Sequence, residues 1–322
     1  MEFETFHHAY VWTLRSAVRA PTYRNSPRGM ASREQLGVQY RLRDATQRVA
    51  VIPARRLNLV FNFAEALWYL AGRDDLEFIE TYAPRMRRYS ADGVRLTGTA
   101  YGKAIFGRDQ WRTVVDELRS DPDSKRAVFQ IFRSDELQVP GNPDVSCTLG
   151  LQFLIRDNAL HAVALMRAND AYRGMSSDVF SFTFLQEVMA RELGLPVGGY
   201  GHLVGSLHVY DPDADRVEAV LADPAANNDP GLTFPGMPDG DNWPAIREVL
   251  RIEELLRAGR CRPSAAADLP EYWAQVVRLL ELHRQVRAGE PIGDGLVDAL
   301  WPLYRMLATA WHPGLATDSG DV

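Results

Sequence analysis

The chain has 322 residues, 46% of them hydrophobic, enough to bury a substantial core as one large domain or two small ones. A formal net charge of −6 argues against a general nucleic-acid binder, so an anionic ligand has to be met by local arginines. No segment approaches the roughly 18 apolar residues of a membrane span, and the only cysteines, Cys147 and Cys261, have no metal-ligand spacing; we expect a cytoplasmic protein with no metal and no membrane partner.

In chain order, residues 57–69 are mostly apolar around Glu65, which predicts a buried helix with the glutamate as its anomaly. A helix is expected at 112–118, closed by Asp121-Pro122, and a strand at 127–132. Residues 149–155 and 159–166 read as two strands joined by a tight turn at Arg156-Asp157-Asn158, with Cys147 just before the first and Arg167 just after the second. Residues 177–193 have helical spacing and end at Gly194, placing Asp178 in the first turn with Ser176 or Ser177 as cap. The Pro-, Gly- and Asn-rich stretch 222–243 reads as a long surface connection, followed by helices at 245–258, 271–286 and 294–308.

Alone, Cys147 reads more readily as a small buried core residue than as a nucleophile. Its place after a turn and before a strand presents the thiol at a cavity, where a nearby arginine would lower its pKa. Glu65, buried without a full ion pair, would titrate nearer neutrality and suit acid/base work. Arg28, Arg126 and Arg167 as a set suit a phosphate, and His208 and Tyr210 share one face of an extended segment.

Ordered motifs from Arg28 to Asp211 resemble the thymidylate synthase family. Glu65-Ala66-Leu67-Trp68-Tyr69-Leu70-Ala71-Gly72 is similar to its catalytic-glutamate helix, Tyr101-Gly102-Lys103 to its active-site tyrosine segment, and Asp121-Pro122-Asp123-Ser124-Lys125-Arg126 to its arginine-bearing loop. Cys147, Gln152, Arg167, Asp170, Gly174, His208 and Tyr210 follow in family order. The resemblance implies a single α/β domain over 1–322, with a bent mixed sheet covered by helices and a helical C-terminal part. It also implies a homodimer in which Lys125 and Arg126 complete the partner subunit's phosphate site beside Arg28 and Arg167. Cys147 would attack C6 of a pyrimidine nucleoside monophosphate, C5 would take a methylene from 5,10-methylenetetrahydrofolate, and Glu65, Tyr101 and Asp170 would serve the proton transfers. Gly174 would lie at the base, and His208 and Tyr210 at the sugar.

Departures from the family pattern point to the reaction. Asp178 stands where the synthases carry asparagine, and a carboxylate accepts from both N3 and N4 of an N3-protonated cytosine, as in the cytidylate hydroxymethylases of the same superfamily. Thr148 after the nucleophile, Arg87-Arg88-Tyr89 in place of a tryptophan-bearing segment, and the polar tail from Trp311 agree with water completing the reaction. Ala168 departs from a phosphate-contacting serine, which Ser146 would offset. Arg133, Ala168 and Ser176 are the candidates for shaping the space around the sugar 2′ position. Lys103 and Lys125 are the only lysines among 36 basic residues, and this bias inclines the reading toward CMP over dCMP, in nucleoside-antibiotic biosynthesis. The alternatives are a synthase acting on dUMP and a catalytically silent nucleotide-binding scaffold.

Overall fold

The structure is a computed structural model describing residues 1–260, 268–293 and 295–315. Cys261 and the end of the polar tail lie outside the described residues. Seven strands form one mixed sheet: β1 (Glu2–Phe3), β2 (Tyr23–Asn25), β3 (Ser32–Leu42), β4 (Val128–Gln130), β5 (Thr148–Arg156), β6 (Ala159–Asp170) and β7 (Val197–Tyr210). Their order is β1-β3-β7-β6-β5-β4, with β2 also on β3; β6 and β7 run parallel and β3 antiparallel to β7. The β5–β6 hairpin turns at Asp157 and Asn158, both at positive φ (49° and 57°), as a two-residue turn of left-handed residues requires.

Helices stack in layers on one face. α1 (Phe6–Arg19) lies on β3 and β7, while the long α6 (Met175–Leu193) lies on β6 and β7. Against α6 packs α2 (Leu59–Leu70), opened by Asn58, whose Oδ1 accepts from the Phe61 amide. The short α3 (Leu76–Tyr82), α4 (Tyr101–Phe106) and α5 (Gln110–Ser120) flank α2 and the β4 edge. An added Cβ at Gly102 would lie 2.1 Å from the Tyr69 carbonyl oxygen, so glycine there lets α4 close on α2. After α7 (Ala214–Ala222) and the one-turn α8 (Pro224–Asn227), the chain reaches α9 (Trp243–Arg257), α10 (Glu271–Ala288) and α11 (Pro302–Trp311); α10 packs on α2 and α9.

The α/β arrangement and the helices around Glu65 and Asp178 are as the sequence led us to expect. Four local readings are corrected. α6 begins at Met175 with Gly174 as N-cap and no side-chain cap, because Ser176 is drawn inward and buried while Ser177 reaches across to α2. Arg167 lies within β6, not after it, because the parallel pairing with β7 carries the strand on to Asp170. Residues 228–242 are no mere surface connection: Phe234 and Met237 are buried, and Phe234 stacks with Phe63. The last helix starts at Pro302 because proline suits the first helical position and would break an earlier start.

Beneath these layers Arg48 and Glu187 form an ion pair excluded from solvent, the guanidinium flanked by Phe180, Phe184 and Phe234. Glu187 Oε1 accepts from the Met237 amide, so the pair fastens the 228–242 segment to α6. The side chains that alternate with the helix-covered ones along the strands form the opposite face of the sheet. Gln39, Arg41, Leu154, His161, Val163 and Leu203 line a shallow depression of about 460 Å³ there.

Candidate active site

Cys147 sits immediately before β5, half-buried, on a loop braced from below. Asp144 accepts from the amides of Thr97, Gly98 and Thr99 at 2.8, 2.8 and 3.0 Å, tying this loop to the segment leading into α4. Glu136 accepts from the Ser146 amide and hydroxyl. From β6, Arg167 Nε donates to the Ser146 carbonyl and Nη2 to the Val145 carbonyl, each at 2.8 Å, and Nη2 stands 3.7 Å from Cys147 Sγ. The strand register, with the Arg167 amide donating to the Cys147 carbonyl, fixes this approach.

The thiol pKa nevertheless lies above its ordinary value, correcting the expected activation. Burial is the largest cause, and the nearby carboxyls of Asp178 and Asp144 add to it; Arg167 and Arg28 pull the other way without prevailing. Arg28 sits on an exposed one-turn helix in the left-handed conformation (φ 52°), close enough for its charge to reach the thiol.

Above the thiol, α2 and α6 bring two carboxyls together. Glu65 is pushed up to about 8, first by burial and then by Asp178; Ser181 Oγ donates to its Oε2 at 3.2 Å. Asp178 is pushed up to about 7 by burial, opposed by a hydrogen bond from Asn169 Nδ2 to its Oδ2 at 2.7 Å. Tyr101, stacked on Tyr69 with ring centroids 5.2 Å apart, is buried and held neutral, within electrostatic reach of Asp178, Cys147 and Glu65. A Cβ on Gly174 would stand 3.3 Å from Asp178 Oδ2 and 3.6 Å from Asn169 Nδ2, so glycine leaves room for this contact.

A relay behind Asp178 had no signal in the sequence reading. His202 is buried and pulled down to about 3, hence neutral. Its Nε2 lies 3.0 Å from Asn169 Oδ1 and its Nδ1 2.8 Å from the Tyr200 hydroxyl. Because Asn169 must donate to Asp178, its oxygen faces His202; the Nε2–H donates there, and the Tyr200 hydroxyl donates to Nδ1. Tyr200 and His202 pair with Ala162 and Ala164 of β6, whereas Asn169 lies opposite Leu207, so nothing local in the sequence points from the histidine to its partner.

Asp170 Oδ1 accepts from the Tyr172 and Arg173 amides, while its buried Oδ2 has no hydrogen-bond partner among the described residues and stands 3.8 Å from Arg173 Nε. His208 and Tyr210 meet edge to face at 5.0 Å, and Arg173, unnoticed in the sequence, stands 5.1 Å over the Tyr210 ring while paired with Asp213. Ser176 is buried, with Tyr10 of α1 beside it. Ala168 lies on β6 beside Arg167. Arg133 pairs with Asp135 and, with Lys103, Arg108 and Glu136, lines a cavity of about 190 Å³ behind Ser146. Lys125 and Arg126 are not gathered at this site: Arg126 is 77% exposed and bound to Glu117, and Gln152 donates to the Lys125 carbonyl at the sheet edge.

A thiol against a guanidinium, with two carboxyls held near neutrality in electrostatic reach, is an arrangement suited to covalent chemistry in which nucleophile and proton donor are separate groups. Residues 8–243 match the thymidylate synthase family, and the chain belongs to it. It is similar to the deoxyuridylate hydroxymethyltransferase of Bacillus phage SP01, 32% identical over 204 residues covering 58% of this chain and 53% of that protein. Proteins of the same name from Pseudomonas phage M6 (32% over 194 residues; 59% and 55%) and Delftia phage PhiW-14 (30% over 196 residues; 57% and 55%) are similar to comparable extents. The chain thus spans about half the length of the curated relatives it matches.

Proposed function

We propose that the protein transfers a hydroxymethyl group to C5 of a cytosine nucleoside monophosphate, CMP in preference to dCMP, using 5,10-methylenetetrahydrofolate. The observation that carries this is Asp178, a half-buried carboxyl that accepts from Asn169 and lies within electrostatic reach of the thiol and Glu65. Asp178 and cytosine N3 together hold one proton, which satisfies N3 and the exocyclic amine at once wherever it resides. The relatives' names support hydroxymethyl transfer as the outcome.

Cys147 adds to C6, making C5 nucleophilic, and Arg167 braces the loop that presents the sulfur. Because the thiol is held neutral by burial, its proton has to leave as the nucleotide binds, and the protonatable carboxyls nearby are placed to manage it. His208 and Tyr210 face the sugar, and Arg28 with Arg167 the phosphate. The family takes its carbon from the folate, which supplies a methylene at the oxidation level of formaldehyde when bound. Buried Asp170 Oδ2 fits N–H donors of a pterin, and exposed Arg85 and Arg88 fit its glutamate carboxylates. We propose nucleoside-antibiotic assembly as the pathway, on the arginine-rich composition alone.

The phosphate site is incomplete in one chain, since Lys125 and Arg126 point elsewhere. A two-fold dimer across the opposite sheet face, where Leu36, Val128 and Leu149 are exposed, would supply them from the partner.

A uridylate substrate is the second reading, favoured by the relatives' names. Protonated Asp178 offers the same donor and acceptor as asparagine. Incubation with methylenetetrahydrofolate and CMP, dCMP or dUMP separately distinguishes them by product mass. A gain of about 30 Da on a cytosine nucleotide without dihydrofolate supports the proposal, about 30 Da on dUMP supports the second reading, and about 14 Da on dUMP supports a synthase. Binding without product in every case supports a silent scaffold.

A further inference from the structure

One polar pair, buried Asn62 and half-buried Ser177, is left unused by these roles. Asn62 lies one turn before Glu65 on the same face of α2, and Ser177 one turn before Ser181 on α6. Two rungs therefore join the helices: Ser177 Oγ donates to Asn62 Oδ1 at 2.9 Å, and Ser181 Oγ to Glu65 Oε2 at 3.2 Å. Asn62 is 1% exposed, and its Nδ2 has no hydrogen-bond partner among the described residues. Such an enclosed donor costs about 1–3 kcal/mol unless a water or ligand atom accepts from it. Ser177 adjoins Asp178, so the open donor belongs to the helix pair that carries both carboxyls.

We propose that Asn62, oriented by Ser177, seats the water that captures the methylene carbon on C5. The inference rests on the hydroxymethyl reading above. In this step Asn62 Nδ2 donates to one lone pair of the water, Glu65 in its carboxylate form accepts a water proton, and the second lone pair forms the C–O bond. The π pair of the exocyclic C5–CH₂ bond moves into the ring and then expels the Cys147 thiolate from C6, restoring the C5–C6 double bond. No oxidant or reductant is required. An apolar side chain at position 62 would leave the carbon exposed to other nucleophiles.

The test is partition in the whole protein. With CMP, methylenetetrahydrofolate and 2-mercaptoethanol, water and thiol compete for one carbon, and mass spectrometry gives the ratio of hydroxymethyl to thioether product. We expect Asn62→Leu to lower that ratio at least about tenfold, Ser177→Ala to lower it less, and Asn62→Ser, which keeps a donor, to recover part of it. Calorimetric titration with CMP alone reports whether each variant retains a formed nucleotide site. An unchanged ratio in an Asn62→Leu protein that binds CMP overturns the inference and leaves hydroxymethyl transfer standing. If that variant does not bind CMP, Ser177→Ala decides: a lowered ratio supports the water site and an unchanged one overturns it. Wild-type protein that yields no hydroxymethyl product from any nucleotide overturns the underlying reading, and the water site with it.

Discussion

At Glu65 and Asp178 the fold holds acids out of water without giving either a full ion pair, and both retain protons that an unfolded chain would release. Their folded values, about 8 and about 7, stand above the ordinary 4.5 and 3.8. The unfolded state therefore binds fewer protons across this interval, so stability falls as pH rises from the ordinary carboxyl range and levels off above about 8. Urea midpoints taken from pH 5 upward should decline in the wild type and decline less in Glu65→Gln; parallel curves would contradict the burial argument. The sequence made Glu65 legible because a charge inside an apolar helix is conspicuous. Asn62, three residues earlier, was equally anomalous, but its partner Ser177 is 115 positions away and only the packing of α2 on α6 joins them. Thiol activation was misjudged for a related reason: spacing shows that an arginine is near, while the balance against desolvation depends on depth.

Among the elements, those with strong local periodicity were read closely: α2, the β5–β6 hairpin with its Asp157-Asn158 turn, and α6 ending at Gly194 in the left-handed conformation. The sheet order was not legible, because β3 and β7 pair across 158 to 178 residues and neither has a flanking turn that declares the partner. The 228–242 segment misled for the same reason, since its composition is that of a loop while Phe234 and Met237 are anchored by distant residues. Arg48 and Glu187 make that anchorage testable. Removing one member of a buried ion pair strands the other, so Arg48→Met should lower unfolding free energy by about 3–5 kcal/mol, measured by denaturant titration. A loss under about 1 kcal/mol would show that the pair contributes no more than a surface bridge does.

For the whole molecule, the dimer we propose rests on what one chain lacks. Lys125 and Arg126 are exposed beside β4, whereas the thiol, Arg167 and Arg28 lie at another part of the sheet. Variants Cys147→Ser and Arg126→Ala should each be severely impaired alone. Mixed and allowed to exchange subunits, they should regain about one quarter of wild-type activity, because half of the dimers then contain one complete site. No recovery, with exchange confirmed, would mean that each chain completes its own phosphate site.

The central claim is that the carboxyl at position 178 selects the pyrimidine held by Cys147. The most direct measurement presents equimolar CMP and UMP with methylenetetrahydrofolate to wild-type protein and to Asp178→Asn in one competition assay, and follows both products by mass. The wild type should hydroxymethylate the cytosine nucleotide, and the variant should shift the product ratio toward uracil by roughly 10- to 100-fold, the effect of one mismatched buried hydrogen bond of about 1–3 kcal/mol. A wild-type product found on uridine, or a ratio that Asp178→Asn leaves unmoved, would contradict the account.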